Sequence, residues 1–328
     1  MVEQVPFESI LDALLDNDHI FPAGYLHLFS DLEAEQLKQL DVIWPHIQPT
    51  RKHALLEDLE VLASNDTLMC FDNLTINLLA DEDPSIRMLA IRLLWECENP
   101  KLIPLFLEIL KNDPSRFTRA EAASGLGIFV YMGEVDKIPA VELKLIEDEL
   151  IRLADDGADK LVQRKSIESL GFSSRDEVDR LIASAYSSNN EELMVSALVA
   201  MGRSNNPNWE NEVLDGIQHY NDLIQLEAIQ AAGNLGLETT RLVLLELLED
   251  LNDTEIIKAT LWSLSQIGGE GVREKIEDMY EQLDPDEEDF IDEVVENLNL
   301  TEEMATFDFL VVDADPELSD ELDMVEGE

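Results

Sequence analysis

Apolar residues recur along most of this chain at the three- and four-residue spacing of a single helix face. The pattern also repeats on a longer scale. Segments that open at Asp83, Asp113, Asp159, Asn190, Asn221 and Asp253 fall into register. Three residues on stand Ile86, Val162, Leu193, Ile224 and Ile256, with Arg116 breaking the column. Seven residues on, every side chain is small: Ala90, Ala120, Ser166, Ala197, Ala228 and Thr260. Eleven residues on come Leu94, Leu170, Met201 and Leu264, while Ser124 and Ala232 weaken the column. These offsets trace one face of a helix, and a small residue fixed on that face lets a neighbouring helix approach closely. The openings read as N-caps, because a short Asp or Asn side chain accepts a bond from a free backbone N–H. Pro84 and Pro114 follow two of them at the first helical position, where a missing N–H costs nothing.

Gly171, Gly202, Gly236 and Gly268 close four of these helices, and glycine enters the left-handed terminating conformation without a Cβ penalty. A second amphipathic helix follows each. Its buried face is carried by Ile103, Leu107 and Leu110, by Val213, Leu214 and Ile217, and by Leu242, Leu245 and Leu248. Each unit is therefore a helical hairpin. Asp159, Asn190 and Asn221 stand 31 residues apart, and the step from Asp113 to Asp159 is 46. The excess is assigned to a longer second helix at 141–154 and the loop before it at 133–139. The pattern predicts an all-α fold, an α-solenoid over 51–300 whose first hairpin spans 51–80.

Asp-x-x-Ile-Arg-x-x-Ala at 83–90, with Gly-Leu-Gly at 125–127 and Asn-Leu-Gly at 234–236 as helix endings, resembles HEAT repeats of the short, phycobilisome-lyase-like type. The resemblance covers residues 50–300, and the arginine of the motif stands at Arg87 alone. It implies a right-handed superhelix of HEAT-like hairpins that offers an extended binding surface. It also admits a bilin-lyase-like or other enzyme-accessory role, since some repeat proteins of this type attach or detach linear tetrapyrroles. HEAT-like hydroxylases of the hypusine pathway hold two irons through His-Glu pairs. Here His19, His27, His46, His53 and His219 are followed by Ile20, Leu28, Ile47, Ala54 and Tyr220, which disfavours that activity.

Composition sharpens the functional side. The chain is 45% hydrophobic with 14 Gly and 12 Pro, which suits helices better than turn-rich strands. It carries 72 Asp and Glu against 22 Lys and Arg, a formal charge of -50. That field repels phosphate backbones and anionic membranes and attracts basic partners. The same acidity would serve solubility or salt adaptation. No phosphate-binding glycine loop and no zinc spacing of His and Cys is present. Asp284-x-Asp286-x-Glu288 opens like a calcium loop, but Asp289 and Val295 stand where glycine and glutamate are needed. Cys70 and Cys97 sit in apolar helical runs and read as core. No signal peptide precedes the repeats, so the expected location is cytoplasmic.

The ends depart from the repeat. Residues 1–50 form an irregular helical cap, with short helices at 7–15 and 32–43 and an aromatic stripe of Phe21, Tyr25 and Phe29 covering the first hairpin. A last helix spans 284–300. Residues 301–328 form an acidic tail expected to be largely disordered, in which Phe307, Phe309, Leu310, Val311 and Val312 are candidate partner-binding residues. The reading that follows is a non-catalytic scaffold or adaptor, without cofactor or metal. It would hold a protein with a basic surface through its second helices and tail. An acidic nucleic-acid mimic that occupies basic proteins is the other alternative.

Overall fold

The computed structural model describes residues 5–250, 253–280 and 288–314. It divides into two compact units, Met1–Leu181 and Ile182–Glu328. Every regular element among the described residues is helical. The first unit opens with α1 (Phe7–Leu15), a 3₁₀ turn (Ala23–Phe29) and α2 (Ala34–Ile43). Helical hairpins follow: α3 (Pro49–Asn65) with α4 (Asp72–Leu78), α5 (Pro84–Arg92) with α6 (Leu102–Asn112), and α7 (Arg116–Glu134) with α8 (Ala140–Asp156). Next come α9 (Lys160–Leu170) and α10 (Asp176–Tyr186), within which the division falls. The second unit continues with α11 (Glu191–Arg203), α12 (Glu210–Ile217), α13 (Asp222–Asn234), α14 (Arg241–Asp250), α15 (Thr254–Ile267), α16 (Val272–Tyr280) and α17 (Glu288–Ala314).

The repeat openings do what short polar side chains do at helix starts. Asp83 accepts from the Ser85 amide, Asp159 from Leu161 and Val162, Asn190 from Leu193, Asn221 from Leu223 and Ile224, and Asp253 from Glu255 and Ile256. Within each unit the first helices then pack directly on one another, α3 on α5, α5 on α7 and α7 on α9, and later α11 on α13, α13 on α15 and α15 on α17. The small column is buried, and Ala228 lies directly against Gly216 of the second helix α12, where an added Cβ would come within 2.7 Å. Ala90, Ser166, Ala197, Ala228 and Thr260 are all 0% exposed.

The repeat at Asp113 needs correction. Asp113 terminates α6, and the N-cap of α7 is Ser115, whose hydroxyl accepts from the Thr118 amide. Counting from Ser115 places Thr118, Ala122 and Leu126 in the three columns, and all three are fully buried. The breaks at Arg116 and Ser124 vanish. A second motif arginine also emerges. Arg119 stands four residues after Ser115, as Arg87 stands four after Asp83. Arg87 grips Asp113 through two bonds of 2.7 and 2.8 Å, and Arg119 reaches Asp159 at 2.8 Å. Each arginine thus ties its hairpin to an aspartate at the start of the next. Burial works to raise the Asp113 carboxyl, but hydrogen bonds from Arg87 and the Ser115 amide outweigh it and hold it below its ordinary range. Pro114 gives Asp113 the look of a cap, but its carboxylate serves this rung instead.

The glycines divide into two kinds. Gly236 and Gly268 adopt positive φ of 60° and 65° at helix ends, as the sequence predicts. Gly171 stays right-handed, and Gly202 lies inside α11. Gly125 and Gly127 lie mid-way along α7, which is extended to Glu134 and shares the long step with α8. These interior glycines are contact points. A Cβ on Gly202 would lie 3.0 Å from the Ala231 Cα, and one on Gly233 would lie 2.7 Å from the Ser263 Cα. Ser169 and Ser263 also donate hydroxyl bonds of 2.8 Å to the Ala123 and Ile229 carbonyls of the preceding first helix.

The second helices and the ends show two more differences. Ile103, Leu107, Leu110, Val213 and Ile217 are buried, but in α14 the buried pair is Leu244 and Leu248, with Leu242 facing solvent. The run Leu242-Val243-Leu244-Leu245 offers several apolar faces, and packing selects one. At the start of the chain α1 matches the expected span. Phe21 meets Tyr25 and Phe29 at 6.0 and 6.2 Å between ring centroids, and Phe29 is fully buried. At the other end α17 does not stop at Leu300 but runs to Ala314. Ile291, Val294 and Leu298 are buried, and Arg273 bonds Glu302 at 2.6 Å just past the expected end. Expected disorder therefore does not describe 301–314. Residues 315–328 and the acidic stretch 281–287 lie outside the described residues.

Gly233→Ala tests the seam. Alanine in place of glycine favours a free helix by about 1 kcal/mol, whereas overpacking costs about 1–3 kcal/mol. The variant is expected to lose about 1 kcal/mol in urea unfolding; a gain in stability would mean that α13 and α15 are not in close contact.

Candidate protein-binding surface

Nine residues after each cap, the first helices turn a side chain away from their seams. The positions are Arg92, Ser124, Glu168, Val199, Gln230 and Trp262. This column has no common chemistry, and it divides along the units.

In the first unit the outward face is charged and satisfied from within. Arg92 on α5 bonds Glu60 on α3 at 2.8 Å, and Lys165 on α9 bonds Glu168 at 2.7 Å. Glu121 on α7 lies between them. Burial pushes its carboxyl up from the ordinary range, Lys165 and Arg92 pull it down, and Glu60 and Glu168 push with burial. A second buried carboxylate, Glu147 on α8, accepts from the Ser173 hydroxyl beside Arg175. Burial raises Glu147 too, against the pull of Ser173 and Arg175. These are packed, mutually paired groups.

In the second unit the outward column itself is uncharged, at Val199, Gln230 and Trp262. Leu226, Gln230 and Asn234 on α13 face Glu255, Lys258, Ala259, Trp262 and Gln266 on α15, with Phe290 at the start of α17. They enclose an open groove of about 440 Å³. Trp262 is 37% exposed there. The Lys258 ammonium lies 5.4 Å from the Phe290 ring centre, a cation–π distance. The Gln266 carbonyl oxygen is buried without a hydrogen bond. The sequence signal for this groove was the outward column, but a column that changes character at every repeat does not register as a repeat.

Two other features are placed. A cleft of about 760 Å³ opens between α1 and the 3₁₀ turn, lined by Phe7, Ile10, Pro22, Tyr25 and Leu28 among others. It lies at the aromatic stripe that the sequence assigns to capping. Phe307, Phe309, Leu310, Val311 and Val312 fall on the C-terminal part of α17, the helix that also carries Phe290. The helix rises roughly 25 Å along its axis between Phe290 and Phe307. The tail candidates and the groove are thus distinct places on one element. Cys97 is buried, and burial pushes its thiol up to about 12, which suits a packed, unreactive side chain.

No described helix is long and apolar enough to cross a membrane. Residues 72–145 match the family model of HEAT repeats. The matched segment runs from α4 into α8 and contains Arg87, Asp113 and Arg119. No curated protein matches the chain. Among solved structures, the YibA protein of Escherichia coli is similar at 14% identity and a TM-score of 0.43, covering 87% of this chain and 98% of that one. Human deoxyhypusine hydroxylase, solved in complex with glycerol, is similar at 12% identity and a TM-score of 0.35, covering 80% and 95%. An engineered protein is similar at 16% identity and a TM-score of 0.36, covering 89% and 88%.

Glu121 gives a pH-dependent expectation with a fixed sign. A carboxyl raised by folding favours the folded state while protonated, and that contribution is lost as pH rises through the folded value. Glu121→Gln is therefore expected to melt higher than wild type at about pH 7, with the difference disappearing below about pH 4. A variant that melts lower than wild type at neutral pH would mean that Arg92 and Lys165 outweigh burial.

Proposed function

We propose that this chain is a non-catalytic protein-binding scaffold that presents the first-helix face of its second unit to a basic partner. The observation that carries the reading is the groove of Trp262, Phe290 and their neighbouring carboxamides. It presents a partly exposed tryptophan beside a second aromatic ring on a helical row, the residue type enriched at the centre of protein interfaces. The surrounding charge supports a basic partner. Residues 182–328 contain only Arg203, Arg241, Lys258, Arg273 and Lys275 as Lys or Arg, against 37 Asp and Glu. Such a field speeds the encounter with a cationic surface and is screened by salt. The C-terminal residues Phe307, Phe309, Leu310, Val311 and Val312 remain a second contact in this reading.

The finer assignment, repeats of the phycobilisome-lyase-like type, rests on the 31-residue step and the Asp-x-x-Ile-Arg-x-x-Ala segment. Nothing about the groove favours a tetrapyrrole over a protein, so the scaffold is the reading adopted.

The test is capture from the native cell with three baits, each read by mass spectrometry at about 0.1 and 0.5 M NaCl. They are the full chain, the Trp262→Ala chain and a chain ending at Ala314. A reproducible basic partner that weakens with salt and is lost with Trp262→Ala supports the groove. A partner kept by Trp262→Ala but lost on truncation moves the site to the tail. No partner with any bait contradicts the scaffold reading.

A further inference from the structure

We infer that the groove of the second unit binds an extended, basic peptide segment, reading its backbone with carboxamides and one apolar side chain with Trp262 and Phe290. This deepens the scaffold reading and rests on it.

The shape comes first. Leu226, Gln230 and Asn234 form one wall at intervals of four residues, and Glu255, Ala259, Trp262 and Gln266 form the other at intervals of four, three and four. Both walls therefore run along helix axes. The α15 wall spans twelve residues, a rise of roughly 16 Å. An extended chain rises ~3.3 Å per residue, so the wall accommodates about five residues.

The chemistry of the walls fits a peptide main chain. A peptide backbone offers N–H donors and C=O acceptors in alternation, and a carboxamide carries both groups at once. Gln230 and Asn234 are exposed on the groove wall and form no side-chain hydrogen bond among the described residues, whereas the Gln266 oxygen is sealed against Gly233. Trp262 and Phe290 flank the same space and supply a seat for one apolar side chain. Lys258 covers one face of the Phe290 ring, and Glu255 adds one carboxylate to the wall. The acidic excess of residues 182–328 selects Lys and Arg on the segment rather than Asp or Glu.

The probe is fluorescein-labelled Arg-Lys-Leu-Lys-Arg, measured against the intact chain by polarisation at about 0.15 M NaCl. Three comparisons carry the test. The same peptide with N-methylated central amides keeps its charge but loses backbone donors, and is expected to bind about tenfold more weakly. Gln230→Ala and Trp262→Ala are each expected to weaken binding about five- to tenfold, Gln230→Ala without changing the melting curve and Trp262→Ala with a lower melting point but at a temperature where the chain stays folded. Glu-Asp-Leu-Asp-Glu is expected not to bind. Equal affinity for the methylated and unmethylated peptides, or for wild type and both variants, overturns the inference, because plain charge attraction would then account for binding. Displacement of the peptide by maltotetraose with higher affinity also overturns it, in favour of a carbohydrate groove. If the peptide fails while a folded basic partner is captured through Trp262, this inference falls and the scaffold stands. If neither binds, the scaffold falls as well.

Discussion

The close approach of successive first helices sets everything else in this structure. Gly202 on α11 lies against Ala231 on α13, where an added Cβ would come within 3.0 Å of the Ala231 Cα. Glycines and serines add direct contact with the neighbouring backbone, Gly127 beside Ser169 and Gly233 beside Ser263. The hydroxyl bond holds the helices in one register, because Ser169 and Ser263 each meet the carbonyl four residues before the apposed glycine. Helices that close leave little room between their axes for anything but small side chains. Large residues are then confined to the other sides of the helix, where they meet the second helices or the outward face. Stability built in this way is a sum of neighbouring interfaces, with few contacts between distant parts of the sequence.

That arrangement frees the outward column for function. A residue there contributes little to the seam, so its chemistry is unconstrained by packing. In the first unit the face is occupied by Glu60, Arg92, Glu121, Lys165 and Glu168, which satisfy one another. In the second unit the same positions carry Gln230 and Trp262, with Gln266 and Phe290 near them. A partly exposed indole, set among a large excess of carboxylates, is the group with apolar area to gain from a ligand.

Much of the fold was legible in the sequence because its signals are local. Asp or Asn at a helix start and a small residue seven positions later have the same meaning wherever they occur. The slip at Asp113 arose from a conflict between two such signals. Asp-Pro imitates a cap, but Ser115 is the cap and Asp113 belongs to an inter-hairpin rung, which the sequence does not mark. The glycines misled for a related reason. A glycine that ends a helix and a glycine that lets another helix touch its backbone look alike in one dimension, as Gly236 and Gly202 do. The acidic charge after Leu300 predicts disorder, yet the buried stripe of Ile291, Val294 and Leu298 and the Arg273–Glu302 bond anchor α17, which runs on to Ala314. The groove was not legible because it is composed across three helices that are adjacent only after folding.

The most direct test of this account is hydrogen exchange of the intact chain, resolved helix by helix. Amides buried in the tightest interfaces exchange only through large openings. The account places the slowest amides in α7 and α9 of the first unit and in α11, α13 and α15 of the second, with the second helices exchanging faster. Slowest exchange in α6, α8, α12 and α14 would contradict it, and would mean that the apolar faces of the second helices, not the small-residue seams, hold the structure together.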